Sequence, residues 1–253
     1  MSIFADGAIG PIAHRGLHDA SHGIIENTAS AFVAAIAGGY AIETDIQPDA
    51  SGEPVIFHDE ALDRLTTTEG LVADHATVEL QRLSMRGTSD RILSLGELLE
   101  LVGGRVMLYL EIKSEARTDR TLERRIAEHL AHYAGPAVTM SFDPGSMTAM
   151  RQLAPGVPRG LSAMRFGRVH EHGLTDTDRF RLTHMLDIPT VRPDFLTYQV
   201  DDLAIMAGAI RRRHPHLPIV TWTVRTVEQR RKAERFADGM IFEGFRPAAS
   251  PKR

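Results

Sequence analysis

Three polar pairs interrupt otherwise apolar runs of this chain: His14-Arg15, Glu43 with Asp45, and Glu111 with Lys113. With His58 they supply three carboxylates, two histidines and two cations. Carboxylate oxygens are the ligands of hard divalent cations. Histidines exchange protons near neutral pH, and cationic side chains hold phosphate oxygens. The inventory suits metal-assisted chemistry on a phosphate.

The spacing gives the inventory a geometry. Tyr40-Ala-Ile-Glu-Thr-Asp-Ile46 reads as a strand, and successive side chains of a strand point to opposite faces. Glu43 and Asp45 therefore share a face, roughly 7 Å apart. At an effective dielectric near 20 their repulsion is about 2 kcal/mol, which a divalent cation between them converts into attraction. The run Val106-Met-Leu-Tyr-Leu-Glu-Ile112 is apolar almost throughout, as in a parallel strand covered on both faces, yet carries Glu111 near its end. A carboxylate there needs a partner. Lys113, two residues on, lies on the same face as Glu111. The chain has only three lysines, so a lysine at a strand end stands out; a phosphate oxygen and a neighbouring acid are both open as its partner.

Elements that place these residues alternate from end to end. Strand patterns cover Pro11 to His14, Tyr40 to Ile46, Val106 to Ile112, Ala137 to Phe142, Arg159 to Ala163, Asp194 to Thr197, Leu217 to Val224 and Gly239 to Phe242. Helical patterns cover Glu26 to Ala37, Asp119 to Tyr133, Pro144 to Leu153, Thr177 to Met185, Asp201 to Arg213 and Val227 to Phe236. In the second of these, Leu122, Ile126, Leu130 and Tyr133 recur at helical spacing. Eight strands with intervening helices predict an α/β fold, a (β/α)8 TIM barrel, as one domain over residues 1–253. The stretch at about 52–104 breaks the alternation and predicts a small insertion after the second strand, with a helix at Leu95 to Leu101. His14, Glu43, Asp45, Glu111, Ser141 and Trp222 all fall near C-terminal strand ends, the face on which barrels build their sites.

Composition narrows the classes. At 253 residues and 43% hydrophobic content the chain can bury a large core. A net charge of −4 argues against nucleic-acid or anionic-membrane binding as the main activity, so a phosphate must be met by local cations. The absence of cysteine excludes disulfides, thiolate metal sites and thiol nucleophiles. Met-Ser-Ile-Phe-Ala-Asp-Gly lacks a basic flank followed by an apolar stretch, and no run of about 18 apolar residues occurs, which predicts a cytoplasmic protein with no integral membrane segment.

In order along the chain, His14-Arg15-Gly16, Glu26-Asn27-Thr28 before Ala31-Phe32, Glu43-x-Asp45, Gly52-x-Pro-Val-x-x-His58-Asp59, Leu62-x-Arg64, Leu110-Glu-Ile-Lys113, Ser141-Phe142, Trp222-Thr-Val224 and Asp238-Gly239 resemble the glycerophosphodiester phosphodiesterase family, over about residues 11 to 247. The resemblance implies a barrel with a small insertion, one divalent cation (Mg2+ or Ca2+), and hydrolysis of a small-molecule glycerophosphodiester to sn-glycerol 3-phosphate and an alcohol. Position by position it implies Glu43, Asp45 and Glu111 as metal ligands, His14 and His58 as the acid/base pair, and Arg15 and Lys113 as the phosphate clamp. Phe142 and Trp222 are candidates for the pocket wall. Two other activities fit the same residues: a phospholipase-D-like lyase stopping at a cyclic phosphate, and a non-catalytic phosphate-ligand binder.

The chain departs from the family pattern at Ile25, where proline is usual, at Arg225, where asparagine often follows Trp-Thr-Val, and at Phe242-Glu243-Gly244, which replaces a Thr-Asp pattern. These changes leave the proposed metal and acid/base residues intact and bear on substrate identity. Asn27 or Thr28 reads as a helix N-cap, and Asp59 as either a partner of His58 or a turn cap. Arg211-Arg212-Arg213 complements a helix C-terminus. The remaining histidines, His18, His170 and His172 among them, read as surface or packing residues.

Overall fold

Parallel strands buried on both faces need helices between them, and the chain alternates accordingly. The computed structural model describes residues 9–114, 119–167 and 174–248. In order these form β1 (Ile12–Ala13), α1 (Ala29–Gly38), β2 (Ala41–Pro48), β3 (Pro54–Ile56), α2 (Thr77–Leu80), β4 (Leu93–Ser94), α3 (Leu95–Val102), β5 (Leu108–Ile112), α4 (Thr121–Ala131), β6 (Ala137–Ser141), α5 (Pro144–Leu153), β7 (Arg159–Ala163), α6 (Asp176–Thr183), α7 (Ile188–Val191), β8 (Phe195–Gln199), α8 (Val200–Arg213), β9 (Ile219–Val224), α9 (Val227–Phe236) and β10 (Gly239–Phe242). Hydrogen bonds run β1–β2–β5–β6–β7–β8–β9–β10, all parallel, and β10 pairs back to β1. The fold is a closed (β/α)8 TIM barrel. Among the described residues no helix is long and apolar enough to cross a membrane.

Side-chain alternation divides the core. Ile12, Tyr109, Val138, Met140, Phe195, Val220 and Ile241 pack together inside the barrel, where Tyr109 meets Phe195 edge-on at 5.9 Å between ring centres. Leu108, Leu110 and Ile112 of β5 belong instead to the larger core between strands and helices. On β5, then, Tyr109 plugs the barrel and Glu111, two residues further, opens on its rim. Full burial of side chains of this size contributes about 1.5–3 kcal/mol each, so the rim rests on a stiff floor.

β2 is longer than its barrel role requires. Its first part pairs parallel with β5, and from Ile46 to Pro48 it pairs antiparallel with β3, to which β4 adds. Val55, Phe57, Leu62, Val72, Leu80, Met85 and Ile92 form a separate small core under this extension. α3, entered through a Ser94–Glu97 capping box, packs in the helix layer between α1 and α4.

α1 begins at Ala29, later than the pattern from Glu26 suggests. Thr28 is the N-cap, accepting from the Ala31 amide, while Asn27 at φ 56° is in the left-handed region and cannot continue a helix. β8 runs on to Gln199, past Thr197, and the four-residue α7 was not legible in the sequence. A helix that short has too few turns to show a period.

Candidate active site

Every side chain singled out for chemistry lines one rim cavity of about 200 Å³: His14, Arg15, Glu43, Asp45, His58, Glu111, Lys113, Phe142 and Trp222, joined by Arg225. Register explains the carboxylates. Asp45 on β2 lies directly beside Glu111 on β5, with Glu43 two residues back on the same face. Single oxygens of Glu43, Asp45 and Glu111 lie within 4.8 Å of one another.

The electrostatics of this cluster are lopsided. Burial pushes the Glu43 carboxyl well above its ordinary value, and the nearby Asp45 and Glu111 charges push it further. Burial opposes ionisation of Asp45 as well, but Lys113, Arg15 and His58 outweigh it and hold that carboxyl below its usual range. Lys113 touches Glu111 and lies 3.1 Å from Asp45 Oδ1; burial would discharge it, and the two carboxylates more than compensate. Three carboxylates face two fixed cations, and Glu43 is left to carry the unrelieved repulsion. Three hard oxygen donors with this excess of negative charge fit a hard divalent cation.

The first loop is folded around the cluster. Arg15, at φ 53°, donates its backbone N–H to Glu43 Oε2 at 3.0 Å, and its side chain reaches Asp45 Oδ2 at 3.2 Å and Glu26 Oε1 at 2.6 Å. Gly16 follows at φ 79°, where a Cβ would stand 2.8 Å from that of Ala31; only glycine lets the loop lie so close to α1.

Both histidines are gripped through Nδ1. His14 Nδ1 is 2.6 Å from Glu243 Oε2, and His58 Nδ1 is 2.6 Å from Asp59 Oδ1. Each carboxylate is in turn held by an arginine: Glu243 by Arg225, at 3.1 and 2.9 Å, and Asp59 by Arg64, at 2.5 and 3.0 Å. Burial keeps the His14 pKa below its usual value despite the Glu243 hydrogen bond. His14, His18 and Glu243 also form a close group, with His18 Nε2 3.9 Å from Glu243 Oε2. Glu243 is already satisfied there by His14 and Arg225. His18 is thus a neighbour of the cavity, whereas His170 and His172 lie outside the described residues.

Several residues at the site have no role there that the sequence assigns, although Glu26 and Asn27 belong to the Glu26-Asn27-Thr28 run. Asn27, one of the two residues read as the cap, turns inward: its amide donates to Asp45 Oδ2 at 3.0 Å and accepts from Thr44 Oγ1 at 2.7 Å. Glu26 joins Arg15 to Arg64. Gln47 Nε2 lies 3.2, 2.7 and 2.5 Å from the carbonyls of Phe57, His58 and Asp59, tying down the turn that carries His58. Ser141, by contrast, is spent on the wall, donating to the Ile112 carbonyl at 2.7 Å. Trp222 and Phe142 meet edge-on at 5.4 Å across the open side.

Comparison with known proteins agrees with the geometry. The chain is 32% identical over 160 residues to a glycerophosphodiester phosphodiesterase of Caldanaerobacter subterraneus, a match covering 59% of this chain and 65% of the relative. It is 31% identical over 163 residues to one of Bacillus altitudinis, covering 60% and 65%. The chain thus spans about 65% of the length of these curated relatives. Among solved structures, a phosphodiesterase of Oleispira antarctica in complex with the product sn-glycerol-3-phosphate superposes with a TM-score of 0.73 at 20% identity, over 94% of either chain, and shares the fold. The profile of the Glycerophosphoryl diester phosphodiesterase family matches residues 14–244, from the first histidine of the cavity to the residue after Glu243, and the chain belongs to that family.

Proposed function

We propose that this protein is a glycerophosphodiester phosphodiesterase that hydrolyses a small-molecule glycerophosphodiester to sn-glycerol 3-phosphate and an alcohol. The observation that carries the reading is the convergence of three carboxylates, two carboxylate-backed histidines, Arg15 and Lys113 on one cavity. Family membership and the glycerol-phosphate product seen in the Oleispira antarctica neighbour support the substrate class.

Charge balance supports a bound divalent cation. In the ion-paired shell of the cavity, Glu26, Glu43, Asp45, Asp59, Glu111 and Glu243 outnumber Arg15, Arg64, Lys113 and Arg225 by two, an excess that a divalent cation would balance. Glu43, Asp45 and Glu111 would hold that cation, Mg2+ or Ca2+, which when bound would supply neutralisation of the non-bridging phosphate oxygens. Arg15 and Lys113 place fixed positive charge at the same oxygens. His14 and His58 divide the proton transfers, one accepting from the nucleophile and the other donating to the departing alkoxide, a service typically worth about 10² to 10⁴ in rate. Phe142 and Trp222 wall the pocket against the carbons of the substrate.

The test is an assay of EDTA-treated protein with Mg2+, Ca2+ or Mn2+ restored, against glycerophosphodiesters of choline, ethanolamine, glycerol and inositol. Glycerol 3-phosphate should be released only after metal is restored. Turnover indifferent to EDTA would remove the metal role, a persistent cyclic phosphate in the phosphorus NMR spectrum would make the enzyme a lyase, and binding without turnover would make it a phosphate-ligand binder.

A further inference from the structure

The wall of the cavity behind His14 is built from three neighbouring strand ends that come from opposite termini of the chain. His14 follows β1, Glu243 follows β10 and Arg225 follows β9. The His14 amide donates to the Phe242 carbonyl at 3.0 Å and the Glu243 amide donates to the Val224 carbonyl at 3.0 Å, so backbone bonds continue the ladder one residue past each strand and hold the three residues in a row. Along that row the Arg225 guanidinium grips both oxygens of Glu243, and Glu243 Oε2 takes the Nδ1 side of His14. The far nitrogen of the ring, Nε2, is 4.0 Å from Glu43 Oε2.

A neutral imidazole carries its proton on one nitrogen only, and the partner of one nitrogen decides what the other presents. Glu243 is an acceptor only: the His14 contact, followed by the Arg225 contact, keeps its carboxyl ionised and well below the usual carboxylate range. A carboxylate at 2.6 Å therefore requires the proton on Nδ1 and leaves the Nε2 lone pair toward the cavity. Arg225 restrains the carboxylate from swinging toward solvent; its own side chain is half exposed and has no need of Glu243 to be solvated. These are also the two late positions at which the chain departs from the family pattern, and they are in bidentate contact with each other.

We infer that Glu243 and Arg225 work as one positioning unit for His14, fixing its Nδ1–H tautomer and aiming Nε2 at the reacting phosphate. The inference rests on the acid/base role proposed for His14, so its test separates the two. Wild type, Glu243→Gln, Arg225→Asn, the double variant and His14→Ala are compared by steady-state kinetics with metal present, and the imidazole tautomer is read by long-range 1H–15N correlation spectra of labelled protein. A glutamine at 243 can donate as well as accept, so the tautomer is no longer imposed.

Glu243→Gln should lower kcat by about 10- to 100-fold, the range typical of partners that orient a working side chain. KM should change by less than about threefold, and the Nδ1–H pattern of His14 should be lost. Arg225→Asn should show a smaller fall, and the double variant should be no worse than Glu243→Gln alone, as expected of residues acting in series. If Glu243→Gln does not fold, Arg225→Asn, altered at an exposed side chain, carries the same tautomer readout. Wild-type kcat and an unchanged tautomer in Glu243→Gln, with His14→Ala inactive, would overturn the inference and leave the acid/base reading standing. Full activity in His14→Ala would remove both.

Discussion

His14 sits against the barrel wall with 11% of its side chain exposed, while His58 stands on the turn after β3 with 32% exposed. Their immediate partners are chemically the same, a carboxylate on Nδ1 and an arginine behind it, yet one set spans 229 residues of chain and the other lies within seven consecutive residues, His58 to Arg64. The barrel half of the cavity is thus held by register and burial, and the insertion half by a local turn tied down from below. One half gains rigidity from the core it closes, the other keeps an edge in water.

This contrast can be broken experimentally, and the largest effect is expected at the exposed half. His58→Ala should lower kcat by about 10² to 10⁴ while leaving the melting temperature and metal affinity near wild type, since the half-buried ring makes its side-chain hydrogen bond to Asp59 and not to the three-carboxylate cluster. Near-wild-type turnover would show that the insertion merely covers the site.

Gln47→Leu sharpens the comparison, because Gln47 is rooted in β2 yet serves the His58 turn. Removing its amide leaves the carbonyls of Phe57, His58 and Asp59 without that donor, which should cost about 1–3 kcal/mol of stability. kcat should fall about tenfold through displacement of His58, with metal affinity unchanged. A parallel loss of metal affinity in a titration would mean that the two halves are not separable.

The smallest effect concerns the barrel half alone. The folded-state pKa of Glu43 lies above its ordinary value of 4.5, so between those values the native state binds more protons than the unfolded one. The stability of metal-free protein should therefore fall as pH rises through 4.5 toward the native pKa. Glu43→Gln should flatten that slope and raise the Tm of metal-free protein at neutral pH, by about 2–4 °C for each kcal/mol relieved, while abolishing stabilisation by added Mg2+ or Ca2+. A lower Tm in the variant would show that Glu43 is held as a favourable charge.

The carboxylates were readable in the sequence because strand alternation is a local rule: Glu43 and Asp45 must share a face wherever the strand lies, and Glu111 interrupts a run too apolar to hold it without a partner. The barrel followed from the alternation of elements; the gap in it pointed to an insertion at about 52–104, whose last part, α3, packs in the helix layer between α1 and α4. What stayed hidden depends on lateral neighbours. Glu243 becomes a partner of His14 only when β10 closes on β1, a contact between chain ends that no window of sequence contains. Asn27 and Thr28 both read as the cap because both are capping residue types; Thr28 took the cap, and the left-handed backbone at Asn27 sent its amide to Asp45. His18 carried no motif beyond itself and was placed beside the cavity by the same closure.

The hairpin formed by β2 and β3 links the placement of the His58 turn to that of Asp45. Ile46 faces Ile56 across it and the Phe57 amide donates to the Asp45 carbonyl at 3.2 Å, so the turn that carries His58 starts directly beside Asp45. Losing or gaining a single residue in the bend between the two strands would shift their register and move that turn relative to Asp45. Beyond Arg64 the segment turns to its own small core of Leu62, Val72, Leu80, Met85 and Ile92, and none of residues 65–94 lines the cavity, so His58 takes its place from the hairpin and its turn.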